Sequence, residues 1–373
     1  MLNRKIIIPV LIGMFTTSFA FCQSSEVFKP VVNNLALYKQ KKNLKFLGSA
    51  KKSVDSLFTS KADTLDIKKG VYRAVVYASI VYIDSLNTLK QPANLFDQTI
   101  QWVDRISANK KIRRFNDQMD YVDRCIANVY IRIGFTYMST SDFMNAQQSF
   151  LKAQKYAPSF KQLNFYLAYS SNKLGNLQDA AKYYNNLIIT DSTKAEYIET
   201  ASNIYKSMGD TARALEILQK GRKRLPDDKL LLLDEANIYN NQRNYGSLAP
   251  LLGPLLDNYP NNADIVFVAA NCYDHLNQYD KAESLYLHAI DLNSSAYDPV
   301  LNLGLLYFKI SLLKHESESS KNMVNAVQLL EKANEISPND IKGLQALQLV
   351  YTRTQNKSEL IDVNNKLKQL TNQ

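Results

Sequence analysis

The chain has 373 residues, 45 of them basic and 35 acidic, for a formal net charge of +10, with 46% apolar residues and only 11 glycines. A composition rich in Leu, Ala, Lys and Gln and poor in alternating Val, Ile and Thr runs excludes a β-rich fold and indicates an all-α chain. The basic balance is modest, which places a polyanion or nucleic-acid partner behind a protein partner.

Residues 1–22 read as an export signal. Arg4 and Lys5 form the positive start, Ile6 to Phe15 the apolar middle, and Ser18, Ala20 and Cys22 the small residues near a cleavage point. Cleavage is expected before Gln23 or after Ala20. It leaves 43 basic against 35 acidic residues in a periplasmic or secreted protein. Cys22 also offers a lipoprotein reading, in which acylation of that cysteine is the one route to a membrane; the bulky Phe21 before it fits that route poorly.

Residues 23–126 carry helical spacing in a divergent form. Ala50, Val54 and Leu57 are spaced as on a second helix of a pair, Val75, Ala78 and Tyr82 as on a first helix, and Ile100 with Val103 as on another second helix. One or two irregular repeats are expected here, running through Asp117 to Ile133 without a linker. A cluster of Lys110, Lys111, Arg113 and Arg114 lies within this stretch.

From residue 127 onward the chain repeats. Tyr137, Tyr205, Tyr239, Tyr273 and Tyr307 fall on one 34-residue lattice, and Pro158, Pro226 and Pro260 keep the same period. In a frame with units starting at 127, 161, 195, 229, 263, 297 and 341, the eighth position reads Gly134, Ala168, Ser202, Ala236, Ala270 and Gly304. The twentieth reads Ala146, Ala180, Ala214, Leu248, Ala282 and Ala326, and the twenty-fourth Phe150, Tyr184, Leu218, Leu252, Tyr286 and Leu330. Small residues recur where two helices approach most closely, and large ones fill the space beside them. Gly175 and Gly209 suit a turn that needs positive φ.

Three departures from the frame carry expectations. The fourth unit has Pro250, placed in a first turn, and Pro254, expected to kink its second helix or loosen a contact. The sixth carries ten extra residues within 308–325, read as two lengthened helices joined by a protruding polar loop around His315. The seventh, 341–373, is degenerate and ends in a polar helix suited to capping the array.

This frame resembles the tetratricopeptide repeat, strongly over six units in residues 127–340 and weakly elsewhere. The resemblance implies an all-α, right-handed superhelical solenoid of antiparallel helix pairs whose first helices line a groove for a partner peptide or helix. It points to a non-catalytic scaffold of the secreted or periplasmic bacterial kind, with an envelope assembly or transport accessory as the alternative.

Carried onto this chain, the groove positions are Asn203, Asn237 and Asn271, with Asn240 and Asn241 beside them. Carboxamides donate and accept, so a row of them can pair with the main chain of an extended peptide whatever its side chains. Phe135, Phe165 and Tyr169 occupy comparable positions nearer the N-terminus and form either a hydrophobic docking patch or part of the core. The fifth positions Glu199, Leu233 and Phe267 lack the lysines that a carboxylate-clamp groove requires.

No catalytic, cofactor-binding or metal-binding residues are assigned. The three histidines are His275, His288 and His315, and there is no glycine-rich phosphate loop, zinc-protease helix motif or paired-cysteine motif. Cys272 and His275 lie one helical turn apart, but the cysteine should face inward and the histidine outward. Cys125 and Cys272 are expected to be reduced. Oligomeric state is left open by the sequence.

Overall fold

The computed structural model describes residues 26–313 and 316–371. The stretch expected to be an export signal, Cys22 and His315 lie outside those residues. Every regular element described is helical, and the chain divides into one unit ending at Thr190 and a second beginning at Asp191.

The first unit contains α1 (Lys29–Lys41), α2 (Lys45–Asp55), α3 (Ile67–Ile83), α4 (Leu95–Ser107), α5 (Asn116–Ser139), α6 (Phe143–Tyr156), α7 (Gln162–Lys173) and α8 (Leu177–Thr190). Consecutive helices pair as hairpins, and α3 also packs on α5. Ala50 and Val54 are buried on α2 and Val75 and Ala78 on α3, while Leu57 lies just beyond the end of α2. Buried on most of its surface, α3 starts at Asp66, whose carboxylate accepts from the Lys69 amide. Its end is held by Arg132 of α5, whose guanidinium donates to the carbonyls of Tyr82 at 3.0 Å and Val81 at 2.9 Å. Those carbonyls have no partner within the helix, so the cation satisfies them and complements the helix dipole. Trp102 of α4 donates its indole N–H to the Gly70 carbonyl at 3.0 Å, closing the α3–α4 pair.

The second unit contains α9 (Ala195–Ser207), α10 (Thr211–Arg224), α11 (Lys229–Asn241), α12 (Tyr245–Asn258), α13 (Ala263–His275), α14 (Tyr279–Leu292), α15 (Tyr297–Leu313), α16 (Glu316–Ile336), α17 (Ile341–Thr354) and α18 (Lys357–Thr371). They form five hairpins. The residues at the eighth, twentieth and twenty-fourth frame positions, named above, are all buried. A Cβ on Gly134 would stand 2.5 Å from the Phe150 ring, and one on Gly304 2.9 Å from Leu330. The small residue is therefore the space into which the large one packs.

The turn within each hairpin repeats as closely as the core does. Ser141, Gly175, Gly209, Arg243 and Asn277 all have positive φ, between 53° and 77°, at one frame position. The next amide donates to the carbonyl of the lattice residue five positions back: Asp142 to Tyr137, Asn176 to Ser171, Asp210 to Tyr205, Asn244 to Tyr239 and Gln278 to Tyr273, each at 2.9 Å. This is the Schellman ending, in which a left-handed residue lets the chain reverse and satisfies a terminal carbonyl. Asp142, Asp210 and Asn244 then cap the following helix with their side chains.

In the sixth unit that turn is missing, because α15 continues through the position where it would fall. The extra residues lengthen both helices, to 17 residues in α15 and 21 in α16. Residues expected to form a protruding polar loop belong instead to the first turns of α16 from Glu316 onward, and Ser319 Oγ donates to the Ser311 carbonyl at 2.7 Å across the pair. A helix start tolerates polar residues as readily as a loop does.

The proline expectation also needs correction. Asn244 caps α12, so Pro250 is its sixth residue rather than a first-turn residue, and the helix runs unbroken past both Pro250 and Pro254. Both prolines and Gly253 are exposed, while Leu248, Leu251, Leu252 and Leu255 are buried. The hydrogen bonds that the prolines cannot donate are thus lost on the face where water replaces them.

At the C-terminal end, α18 buries Val363 and tucks Leu360, Leu367 and Leu370 against the last core cluster. Gln348 Nε2 donates to Asn364 Oδ1 at 2.6 Å, filling with amides the place held by small residues elsewhere.

Candidate partner-binding faces

Asn203, Asn237 and Asn271 are each the ninth residue of their helices, α9, α11 and α13. Asn203 and Asn237 are exposed and Asn271 is half-buried; Asn241 is exposed and Asn240 half-buried. Among the described residues none of these five carboxamides has a hydrogen-bond partner, so donors and acceptors remain free on the first helices. Helices α9 and α11 touch directly, as do α13 and α15, which sets first helices side by side.

The face carries acids as well as amides. Burial pushes the carboxyl of Glu199 on α9 up, with the Asp234 charge adding to it, and burial pushes Asp234 on α11 up against the opposing pull of Lys206. Sequence reasoning had noticed Glu199 only as a missing lysine; its coupling to Asp234 depends on the α9–α11 contact.

In the first unit, Phe135 is drawn into the core edge, edge-on to Tyr166 at 4.8 Å and to Phe150 at 5.7 Å. Phe165 remains 38% exposed and faces Tyr169 at 6.4 Å, and Tyr169 meets Phe143 at 6.1 Å. Lys173 lies over the Tyr169 ring at 5.5 Å. Tyr137, at 37%, and Met144, at 62%, are among the other apolar side chains exposed in this unit. Tyr137 shares the tyrosine lattice and so reads from sequence as a packing residue.

Cys272 is buried, donates weakly to the Tyr245 carbonyl at 3.5 Å, and has its thiol pushed up to about 11 by burial. His275 turns outward and stacks on the Tyr245 ring at 4.3 Å. Cys125 is likewise buried and free. Among the described residues, no three His, Cys, Asp or Glu side chains converge as metal ligands.

The two basic clusters differ in kind. In the later one Arg222 is committed to the buried Glu235 at 2.6 Å and Lys220 pairs with Glu216. Arg222, Lys223 and Arg224 occupy the last turn of α10, where cations complement the dipole. In the earlier one, Lys110, Lys111, Arg113 and Arg114 are all exposed, and none forms an ion pair among the described residues.

Stacked helical hairpins with a shared turn and a shared small–large core pair define a helical repeat protein. Residues 133–195 and 233–297 match the family model described as tetratricopeptide repeat, and the chain carries tetratricopeptide repeats in those two stretches. Among solved structures it is similar to YrrB, described as a TPR protein with an unusual peptide-binding site, at 18% identity over 54% of this chain and 98% of that one, TM-score 0.44. It is similar also to MamA, at 19% identity over 46% of this chain and 94% of that one, TM-score 0.41. A tetratricopeptide repeat protein from Parabacteroides merdae matches at 16% identity over 65% of this chain and 93% of that one, TM-score 0.40. No curated protein matches the chain.

Proposed function

We propose that this protein is a non-catalytic scaffold that holds an extended segment of a partner protein along the first helices of its second unit, after export to the cell envelope. The observation that carries this reading is the row of Asn203, Asn237 and Asn271: one register position, three consecutive first helices, and no hydrogen-bond partner for any of the three amides among the described residues. A free carboxamide can replace the water on a peptide N–H and a peptide C=O together, which favours main-chain recognition over recognition of one side chain. Export is supported by the charge and hydropathy pattern of residues 1–22.

The test is site-specific photo-crosslinking from positions 203 and 237 in intact cells, followed by binding of a peptide from the captured region to the purified protein. Changing Asn203, Asn237 and Asn271 together to Ala should weaken that peptide at least tenfold while helicity and melting stay unchanged. Equal affinity in the triple variant would remove the asparagine row as the binding site.

A further inference from the structure

We infer that the turn Lys110–Phe115 is a contact for an anionic lipid surface, separate from the peptide-binding face. Between Arg105 and Asn116 the chain carries five cations and no Asp or Glu; the next acid is Asp117. A 3₁₀ turn at Lys110–Phe115 sorts these residues by side. Ile112 and Phe115 pack into the core cluster that contains Trp102, Ile106 and Met119. Lys110, Lys111, Arg113 and Arg114 point to solvent. The turn is pinned at its start, where the Asn109 carboxamide oxygen accepts from the Lys111 amide at 3.0 Å and the Asn109 carbonyl accepts from the Ile112 amide at 2.9 Å.

Four cations are thus held together on a short anchored segment, and none of the ion pairs among the described residues neutralises any of them. The neighbouring acids are Asp104, engaged by Lys155 at 3.6 Å, and Asp117 and Asp120 on α5. The later basic cluster, by contrast, spends two of its four cations on internal partners.

Charge complementarity names the occupant as a phosphate-bearing surface. The inward rotation of Phe115 leaves no aromatic ring of this turn for base stacking, which single-stranded nucleic acid binding uses together with charge. A bilayer rich in anionic headgroups needs only charge at close range. Each Lys or Arg brought near such a surface contributes about 1 kcal/mol, which is roughly fivefold in partition. No described helix is long and apolar enough to cross a membrane, so the contact is with the surface.

The experiment is co-sedimentation of the full chain with vesicles of phosphatidylcholine, alone or with about 30% phosphatidylglycerol, as salt is raised beyond about 0.5 M to shorten the screening length. Residues 1–22 are identical in every chain compared, so the readout is the difference between the two vesicle types. The wild type should prefer the anionic vesicles and lose that preference in high salt. Changing Lys110, Lys111, Arg113 and Arg114 together to Gln should reduce the preference by several hundredfold, about fivefold per cation. The Arg113→Gln, Arg114→Gln pair, should the fourfold variant fold poorly, should cost about 25-fold. Lys223→Gln with Arg224→Gln should leave binding unchanged. Equal binding to both vesicle types, an undiminished preference in the variants, or duplex DNA that co-purifies with the wild type and is lost in the fourfold variant while its vesicle partition stays intact would each overturn the inference.

Discussion

The main-chain amide of Asp210 donates to the carbonyl of Tyr205 at 2.9 Å, and the same bond recurs at 34-residue intervals along the array. It gives the tyrosine lattice a backbone meaning. The lattice residue is the third from the end of its helix, where a carbonyl must find a partner outside the helix, and the turn supplies one. The side chain has a second task. Tyr307 donates its hydroxyl to Glu283 at 2.6 Å and Tyr351 to Glu331 at 2.8 Å, while Gln219 donates to the Tyr239 hydroxyl at 2.8 Å. Each of these bonds ties a first helix to the second helix of the preceding hairpin.

Tyr307→Phe should lower stability by about 1 kcal/mol, because a half-buried carboxylate acceptor loses its donor. Burial and Glu283 push the Tyr307 phenol up, so it stays protonated as a donor across the neutral range. Tyr273→Phe should change stability by less than about 0.5 kcal/mol, since that hydroxyl carries no bond among the described residues. Urea unfolding of the two variants side by side separates a hydroxyl effect from a ring effect.

The left-handed position predicts opposite signs for two substitutions. A Cβ on Gly209 meets nothing within 4 Å, so Gly209→Ala should cost about 1 kcal/mol from backbone conformation alone. Arg243, at φ 53° in the equivalent turn, bears that strain already, and Arg243→Gly should gain a few tenths of a kcal/mol after the entropy of the freer unfolded chain. Thermal melting of both variants checks this.

The eighth frame position predicts a second contrast. The Ser202 hydroxyl is fully buried with no hydrogen-bond partner among the described residues, so Ser202→Ala should be neutral or stabilising by up to about 1 kcal/mol. Gly134→Ala should cost about 1–3 kcal/mol, because the new methyl meets the buried Phe150 ring. A rise in melting temperature for Gly134→Ala would show that the ring is free to yield.

Asp123 makes stability depend on pH. Burial pushes its carboxyl up to about 6, Asp120 and Asp104 add to the shift, and Lys155 opposes it. In the unfolded chain it ionises near pH 4, so the folded state holds the extra proton and stability falls as pH rises from about 4 through 6. With its partial exposure discounted, the cost above pH 6 is about 1 kcal/mol. Asp123→Asn should therefore raise the melting temperature at pH 8 and leave it nearly unchanged at pH 4; an equal gain at both values would assign the effect to packing instead.

Much of the array is readable from the chain alone, because its period is imposed by local requirements. A helix of fixed length, a turn with one left-handed residue and a small residue opposite a large one each restrict a single position, so they recur in sequence wherever they recur in space. The turn itself was only half legible: Gly175 and Gly209 advertise it, whereas Ser141, Arg243 and Asn277 hold the same conformation without glycine. The ten-residue insertion was located by the shift in register, and the two lengthened helices expected there are present, although α16 takes up Glu316 to Ser320, which were expected in the segment joining them.

The all-α class, the hairpin period and the positions of the small and large core residues were thus determined by the sequence itself, through constraints acting within one hairpin. Exposure of Phe165 and Tyr137, withdrawal of Phe135 into the core, coupling of Glu199 to Asp234, and capture of Arg222 by Glu235 were decided only by the tertiary structure. Each depends on how close one helix lies to a helix of the next hairpin, and that distance is set by the packing of many side chains together rather than by any residue's own identity.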